Sequence, residues 1–322
     1  MSVLPINLNP LLKTYQNTAL PLAAVSCGDH EANVVNFCIN QFVQLKYNRN
    51  KGTLDFWHDR YSEWTCIEAK NKLRNDYIDI WNLSLIDIIK SAIDSGLYVY
   101  TMVDEFYIPE RTRYQREYYP HDILVYGYND NEIMTIGYNE QMVLSTATIA
   151  NSVFLNAVKS VRNKFFIDFF DYASYNVYPI KINQIKTYLN DYIQSVNSDI
   201  KYKFINTGSL CSYGINSVYD MFNNERIAFE SNGDLDFRNF DCYYEHKRLM
   251  NLRINKISET IGNNKYNIDY EDIKNDAFII RNLALKANIS KKSKILENIQ
   301  FKIEENVKQE IDLLSNLLSK IS

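Results

Sequence analysis

The spacing of apolar residues changes after residue 93, and this change constrains the fold more than any other feature of the sequence. Within residues 83–93 apolar side chains recur at steps of three and four, which predicts an amphipathic helix. Residues 97–103, 121–128 and 132–138 are instead rich in β-branched and aromatic side chains, which predicts strands. The last two flank an Asn-Asp-Asn turn and predict a hairpin. The chain is therefore predicted to be α+β, with an N-terminal helix packed on an antiparallel sheet.

Helical spacing dominates the rest of the chain. Apolar residues within 34–43 and 67–94 predict two helices before the sheet. After the sheet, the stripes within 154–169 and 182–193 predict two more. From about Lys294 to Ile321 the three- and four-residue steps predict an amphipathic terminal helix.

Two domains follow from this change of pattern. Residues 1–148 are predicted to form one domain of helices and sheet, and residues 149–322 a mostly helical domain that contributes to the substrate pocket. Residues 209–241 show less regular spacing, and we expect them to cover the active face.

Charge and apolar content exclude several classes of function. The 35 basic and 39 acidic residues are spread along the chain and give a formal charge of −4, so nucleic acid is not an expected partner. No segment approaches the ~20 apolar residues of a membrane span, so no membrane association is expected. The stretch 19–27 imitates a lipoprotein signal, but Pro21 interrupts its short apolar run.

The five cysteines lie at positions 27, 38, 66, 211 and 242 and form no C-x-x-C pair. Without a disulfide framework, a chain of this length is predicted to hold reduced thiols and to reside in the cytoplasm.

Cys27 is the candidate nucleophile because it immediately precedes a predicted helix. A cysteine attacks a carbonyl as the thiolate, and the N–H groups at a helix start stabilise that anion. The same N–H groups can contact the oxyanion that forms during the attack. The alternative is that Cys27, like most free cysteines, is a small buried side chain.

His121 begins the first strand of the hairpin and is the candidate base. If the turn is centred on Asp130, Asn139 lies directly opposite His121, with the two Cβ atoms about 5 Å apart. The amide oxygen of Asn139 could then accept from one ring nitrogen and leave the other for the cysteine. A shift of one residue in register would turn Asn139 away. Asp104 and Asp122 are the reserve candidates, although Asp122 should point to the opposite face of the strand from His121.

The other histidines carry weaker hypotheses. His30 could share the site with Cys27 but is more typical of a solvated first-turn residue. His58 has no evident partner. Cys242 and His246 lie one helical turn apart, but two further ligands for zinc are missing, so neither a metal nor a cofactor is predicted.

The order of these motifs resembles that of a known family. A cysteine opens a helix, residues 96–109 read GLYVYTMVDEFYIP, and after a Tyr-rich spacer residues 121–128 read HDILVYGY. This arrangement resembles the N-terminal domain of BtrH-like proteins, which are papain-like relatives of double-glycine leader peptidases. The resemblance spans about residues 20–145, and residues 240–257 are similar to the helical region that follows in such proteins.

The resemblance implies a papain-like fold with Cys27 as nucleophile and His121 as base. Relatives often carry Asp at the third position, where this chain has Asn139, and Asn cannot supply a full charge to an imidazolium. The Gln that completes the oxyanion hole in papain is also missing shortly before Cys27; Gln16 and Asn17 are the nearest amides.

The activity implied by the resemblance is acyl transfer in natural-product biosynthesis. The partners would be an acyl carrier protein with a phosphopantetheine-bound acyl chain and a small amine, which attacks the acylated Cys27 after His121 removes its proton. The alternatives are a cysteine peptidase or amidohydrolase with the same residues, and a catalytically silent binding or scaffold protein.

Overall fold

A computed structural model describes residues 1–57, 67–172, 178–202, 210–262 and 265–321. The chain divides into two compact units, and both are discontinuous in sequence. The first unit comprises residues 1–35 and 64–178, and the second comprises 36–63 and 179–322. This division differs from the predicted boundary at residue 148, which falls inside the first unit.

The described strands, in chain order, are β1 (Ser2–Val3), β2 (Gln44–Asn48), β3 (Thr53–Trp57), β4 (Ile67–Arg74), β5 (Tyr98–Asp104), β6 (Pro120–Tyr128), β7 (Glu132–Tyr138), β8 (Leu144–Ala150), β9 (Phe166–Tyr172) and β10 (Cys211–Tyr213). The described α-helices are α1 (Gln16–Val25), α2 (Glu31–Gln41), α3 (Asp76–Ile80), α4 (Leu85–Asp94), α5 (Asn151–Ser160), α6 (Ile182–Ile193), α7 (Ser198–Lys201), α8 (Gly214–Asn232), α9 (Phe237–Ile261), α10 (Lys265–Ser290) and α11 (Lys294–Leu318). The chain is thus a mixed α/β protein with antiparallel sheets and a helical C-terminal region.

The first unit is built on an antiparallel sheet with the strand order β4-β9-β5-β6-β7-β8, and β1 pairs with the end of β6. The predicted hairpin is confirmed as β6 and β7. Its register pairs Leu124 with Ile136 and Val125 with Thr135, which is the register expected for a turn centred on Asp130. Nearer the turn a bulge shifts the pairing by one residue.

One face of this sheet carries the core of the first unit. Val99 and Val103 of β5 and Ile123 and Val125 of β6 pack with buried side chains of α4 and α5. Alternation along the strands places Tyr98 and the other even-numbered residues of β5 on the opposite face. No described side chain of α1 belongs to this core, and α1 contacts β6, β7 and β9. We infer that α1 covers the opposite face.

The second unit contains a small antiparallel sheet with the order β10-β2-β3 and the long helices. Helix α9 packs on β3, and α9, α10 and α11 pack in succession against one another. The predicted terminal helix is confirmed as α11. Its buried apolar side chains keep the predicted spacing: Leu296, Ile299, Ile303, Val307, Leu314 and Leu317.

Three predictions from spacing are corrected by the structure. The pattern within 67–94 begins as strand β4 and becomes helical only at α3 and α4. The helix predicted within 154–169 ends at Ser160, as α5. The residues from Phe166 onward form strand β9 instead, because they pair between β4 and β5 in the sheet. The segment 209–241 contains β10 and the 19-residue helix α8.

No helix in the described part of the chain is both long enough and apolar enough to cross a bilayer.

Candidate functional site

His121 lies at the start of β6 and contacts a buried carboxylate. Its Nδ1 is 2.9 Å from Oε1 of Glu105, whose side chain is only 10% exposed. Glu105 begins the 3₁₀ turn that follows β5, and the pairing of Val103 with His121 brings that turn beside the histidine. The ring of Tyr119 packs at 61° to the imidazole. A carboxylate only accepts hydrogen bonds, so Nδ1 is the donor in this contact, and in the neutral form of the ring Nε2 is then an acceptor.

Asn139 does not hold His121, and this corrects the predicted third residue. Asn139 follows β7, and its Oδ1 accepts from the backbone N–H groups of Gln141 and Val143, each at 3.0 Å. The side chain therefore closes the turn between β7 and β8, as asparagine often does. The predicted register was right near residue 124, but the Asn139 side chain is used locally, and Glu105 takes the place beside the imidazole.

The two reserve candidates have other partners. Asp104 accepts from the N–H groups of Phe106 and Tyr119 and from the hydroxyl of Ser160, so it joins the end of β5 to neighbouring segments. Burial raises the pKa of the Tyr100 phenol, and the carboxylate of Asp122 raises it further. Since Tyr100 is an even-numbered residue of β5, Asp122 faces away from His121, as expected.

Cys27 lies between the carboxyl end of α1 and the 3₁₀ turn Gly28–His30, which runs without a break into α2 at Glu31, so the prediction that it precedes a helix is confirmed. Its Sγ donates to the carbonyl of Ala23 at 3.6 Å, in the last turn of α1. The sulfur thus contacts the negative end of the α1 dipole, which disfavours a thiolate, while the start of α2 four residues later favours one.

The surroundings of Cys27 disfavour the anion further. Burial raises the pKa of the thiol, and the carboxylate of Glu31 raises it again. Both causes oppose the activation expected for a nucleophilic cysteine.

Cys27 and His121 lie at opposite ends of β5. His30, three residues after Cys27, stacks on Tyr172, which lies two residues beyond Phe170, the partner of Tyr98 at the beginning of this strand. His121 pairs with Val103 near its end. Val103 is five positions after Tyr98, so the Cα atoms of these two strand residues are about 17 Å apart.

The two side chains also belong to opposite faces of the sheet. His121 is directly opposite Val103, which faces the core formed with α4 and α5. Cys27 is on the α1 side, since α1 begins beside β6, where Gln16 donates to the carbonyl of Asp122, and ends before Cys27. The structure therefore does not bring the predicted nucleophile and base together.

The sequence carried a signal for Glu105 that was missed. The acidic pair Asp104-Glu105 directly follows the predicted strand 97–103, and antiparallel pairing of that strand with 121–128 places the pair beside His121. Helix α1 was also missed. It begins with Gln16, so an amide and not a thiol occupies the helix start beside β6.

The remaining candidates from the sequence have structural partners. His30 stacks on Tyr172 with ring centroids 3.9 Å apart. His246 is buried, and its Nε2 lies 2.9 Å from the carbonyl oxygen of Val43. Cys242 is buried as well, whereas His58 and Cys66 lie outside the described residues.

We expect alkylation of Cys27 by iodoacetamide to reach half its maximal rate above pH 9, the usual pKa of the thiol, because burial and Glu31 both raise that pKa. Glu31→Gln should accelerate the reaction about two- to threefold at pH 8 by removing one negative charge. Peptide mass mapping follows Cys27 separately from the other cysteines. Glu297→Gln, a first-turn glutamate of α11, is the control and should change nothing. A half-maximal rate below pH 8 would restore Cys27 as a thiolate candidate.

No protein-family model matches this chain, and a search of curated proteins finds no match.

Proposed function

We propose that this chain is a binding or scaffold protein built on a papain-like α+β frame, in which Cys27 is not a nucleophile. The observations that support this proposal are that Sγ of Cys27 donates to the carbonyl of Ala23, that burial and Glu31 raise the pKa of its thiol, and that Nδ1 of His121 contacts Glu105. Proton transfer from a thiol to a base needs the two groups within hydrogen-bond reach, or one water apart. The partner suggested by the resemblance of the sequence is an acyl carrier protein bearing an acyl chain.

A second candidate is acyl transfer that uses the His121–Glu105 pair without an acyl-enzyme intermediate. The observation that favours it is the orientation of His121, since Glu105 accepts from Nδ1–H and Nε2 remains an acceptor with no hydrogen-bond partner among the described residues. The side chain is 36% exposed, so a substrate amine can reach it. Glu105 would also stabilise the imidazolium that forms.

The chemistry of this second candidate balances without a cysteine. The amine nitrogen adds to the carbonyl carbon of a carrier-bound thioester while Nε2 of His121 takes its proton. The C–S bond then breaks, and the departing sulfur takes that proton from His121. The products are an amide and the free phosphopantetheine thiol. Hydrolysis by the same residues would deliver water in place of the amine.

One experiment tests both candidates. The protein is mixed with an acyl carrier protein loaded with an octanoyl thioester, with and without a short diamine, and followed by native and intact mass spectrometry. The binding proposal predicts a complex with the carrier protein, no acyl adduct and no amide, with Cys27→Ala behaving as wild type. An acyl adduct that disappears in Cys27→Ala would overturn the exclusion of Cys27, and failure to form a complex would exclude this partner.

The base mechanism predicts a different set of results. Amide should form in the presence of the diamine, unchanged by Cys27→Ala. His121→Gln should lower the rate by about a hundredfold or more, the usual contribution of a positioned base. Glu105→Gln keeps the shape of the side chain but removes its charge, and should lower the rate less. His30→Gln is the matched control. Equal rates of amide formation in His121→Gln and wild type would contradict the base mechanism, and the binding proposal would stand.

A further inference from the structure

Helix α10 of the second unit carries large side chains on two opposite faces. The buried face has apolar residues at steps of four and three: Ile273, Ala277, Ile280, Ala284 and Ala287. The exposed face repeats these steps in a second row, here called the outer row: Phe278, Asn282, Leu285 and Ile289. At 3.6 residues per turn the two rows lie about 160° apart around the helix axis. A helix that is apolar on both faces is expected to be covered on both.

The outer row presents a contiguous apolar surface. Phe278 is 44% exposed, Leu285 41% and Ile289 76%, and Ile279, beside the row, is 42% exposed. On the side of α9 the surface continues into Tyr244, whose ring centroid lies 5.3 Å from that of Phe278. Exposed apolar side chains that are scattered singly are ordinary, but a contiguous set on one helix marks an interaction surface.

The spacing of the outer row suits another helix as the covering element. Steps of four, three and four align side chains along one seam, the pattern by which two helices pack side by side. From Phe278 to Ile289 this seam is about 16 Å long. Asn282 is its polar member, and a single polar residue in such a seam fixes the register of the two helices.

The charges near the two ends of α10 suit a second copy of the same helix that runs antiparallel. Asp272 near the start of α10 and Lys292 just after its end are both exposed. The outer row matches itself when Phe278 lies opposite the partner's Ile289. This register brings Asp272 within about one helical turn of the partner's Lys292. A two-fold axis then forms both pairs of opposite charge at once, whereas a parallel arrangement would place like charges side by side.

We propose that α10 is a dimerisation helix, through which two copies of this chain associate antiparallel along the outer row. Burial of the apolar side chains supplies the affinity, and the charges near the helix ends select the antiparallel direction. The inference concerns the second unit and is independent of the function proposed above.

Sedimentation velocity of the full chain over a wide range of protein concentration tests this association. Wild type should change from monomer to dimer as the concentration rises, and no larger species should form because a two-fold contact closes on itself. Leu285→Gln/Ile289→Gln should weaken dimerisation at least about tenfold, since the double variant removes two apolar side chains from each side of the seam. Val143→Gln, which replaces a 57% exposed side chain of the first unit, is the matched control and should dimerise as wild type.

Reversal of the end charges tests the antiparallel direction. Asp272→Lys and Lys292→Glu should each weaken dimerisation by about three- to tenfold, because each places like charges together in both symmetric pairs. The combined variant Asp272→Lys/Lys292→Glu should dimerise as wild type, since opposite charges meet again. A parallel pair would show no such rescue. Circular dichroism melting checks that each variant folds.

A wild-type chain that remains monomeric at every concentration would overturn the proposal and leave the outer row to a different protein. A dimer that persists unchanged in Leu285→Gln/Ile289→Gln would also contradict it, because the contact would then lie elsewhere. Absence of rescue in the combined charge variant would exclude the antiparallel arrangement.

Discussion

Lys247→Met is expected to lower the free energy of unfolding by about 3–5 kcal/mol, the usual cost of removing one partner from a buried ion pair. The Nζ of Lys247 lies 2.5 Å from Oε2 of Glu310, and both side chains are fully buried. Lys247 also donates to the hydroxyl of Tyr192 at 2.9 Å. Methionine fills a similar volume but leaves the carboxylate of Glu310 buried without its cation. Urea unfolding followed by circular dichroism measures the change.

The matched control is Lys256→Met on the same helix, α9. Lys256 pairs with Glu259 at 3.2 Å, but the two side chains are 47% and 60% exposed. Exposed pairs of this kind contribute about 0–1 kcal/mol, so we expect a correspondingly small change. Similar losses in the two variants would contradict the assignment of a buried, energetically important pair.

Glu310 is the centre of a larger buried network in the second unit. Tyr192 donates to it at 2.8 Å, and Tyr270 donates to its other oxygen. Tyr243 donates to Asn306, one helical turn before Glu310 on α11. Burial raises the pKa of Tyr192, Tyr243 and Tyr270, and the Glu310 carboxylate raises it further. The phenols therefore remain donors, and the network ties α6, α9 and α10 to α11.

Elements with a strong local pattern could be predicted from the sequence. The strand 97–103, the hairpin of 121–128 and 132–138, and the terminal helix all have a clear period and are confirmed within a few residues. Helix α4 is similar, since Ser84 caps its start and Gly96, with φ of +82°, follows its end. In these segments the local propensity and the tertiary packing favour the same structure.

Elements without such a pattern depended on tertiary contacts. Residues 166–170 are almost continuously apolar, which suits a buried strand and a buried helix equally. They form a strand because β4 and β5 pair with them on both sides. Helix α1 contains Pro21 within a short apolar run. Such a run is similar to the apolar segment of a signal peptide and has no clear helical period, so the helix was not predicted.

The candidate site likewise depends on tertiary contacts that the local sequence does not specify. Positions along a hairpin follow from counting, so the pairing near His121 could be predicted. Which side chain reaches the imidazole depends on the turn after β5, which places Glu105 there, and on the turn after β7, which uses Asn139 for its own backbone. The distance from Cys27 to His121 depends on the direction in which α1 crosses the sheet, and no local pattern encodes that direction.

Helix α8 illustrates how a single contact can determine where an element begins. Gly214, its first residue, has φ of +55°, a conformation that costs other residues about 1–2 kcal/mol. A Cβ at this position would also lie 2.1 Å from the carbonyl oxygen of Tyr192. This oxygen belongs to the backbone of α6 and cannot move aside as a flexible side chain could. Only glycine allows the two helices to approach this closely.

Gly214→Ala is therefore expected to lower the free energy of unfolding by about 2–5 kcal/mol, the sum of the backbone cost and the cost of overpacking. Gly233→Ala, just after the other end of α8, is the matched control. Gly233 also has positive φ, +78°, but a Cβ there would meet only the Lys291 side chain, at 3.9 Å. Its loss should be limited to the backbone cost of about 1–2 kcal/mol. Urea unfolding of the two variants isolates the steric contribution as their difference, and equal losses would show that the approach of Gly214 to Tyr192 imposes no steric requirement.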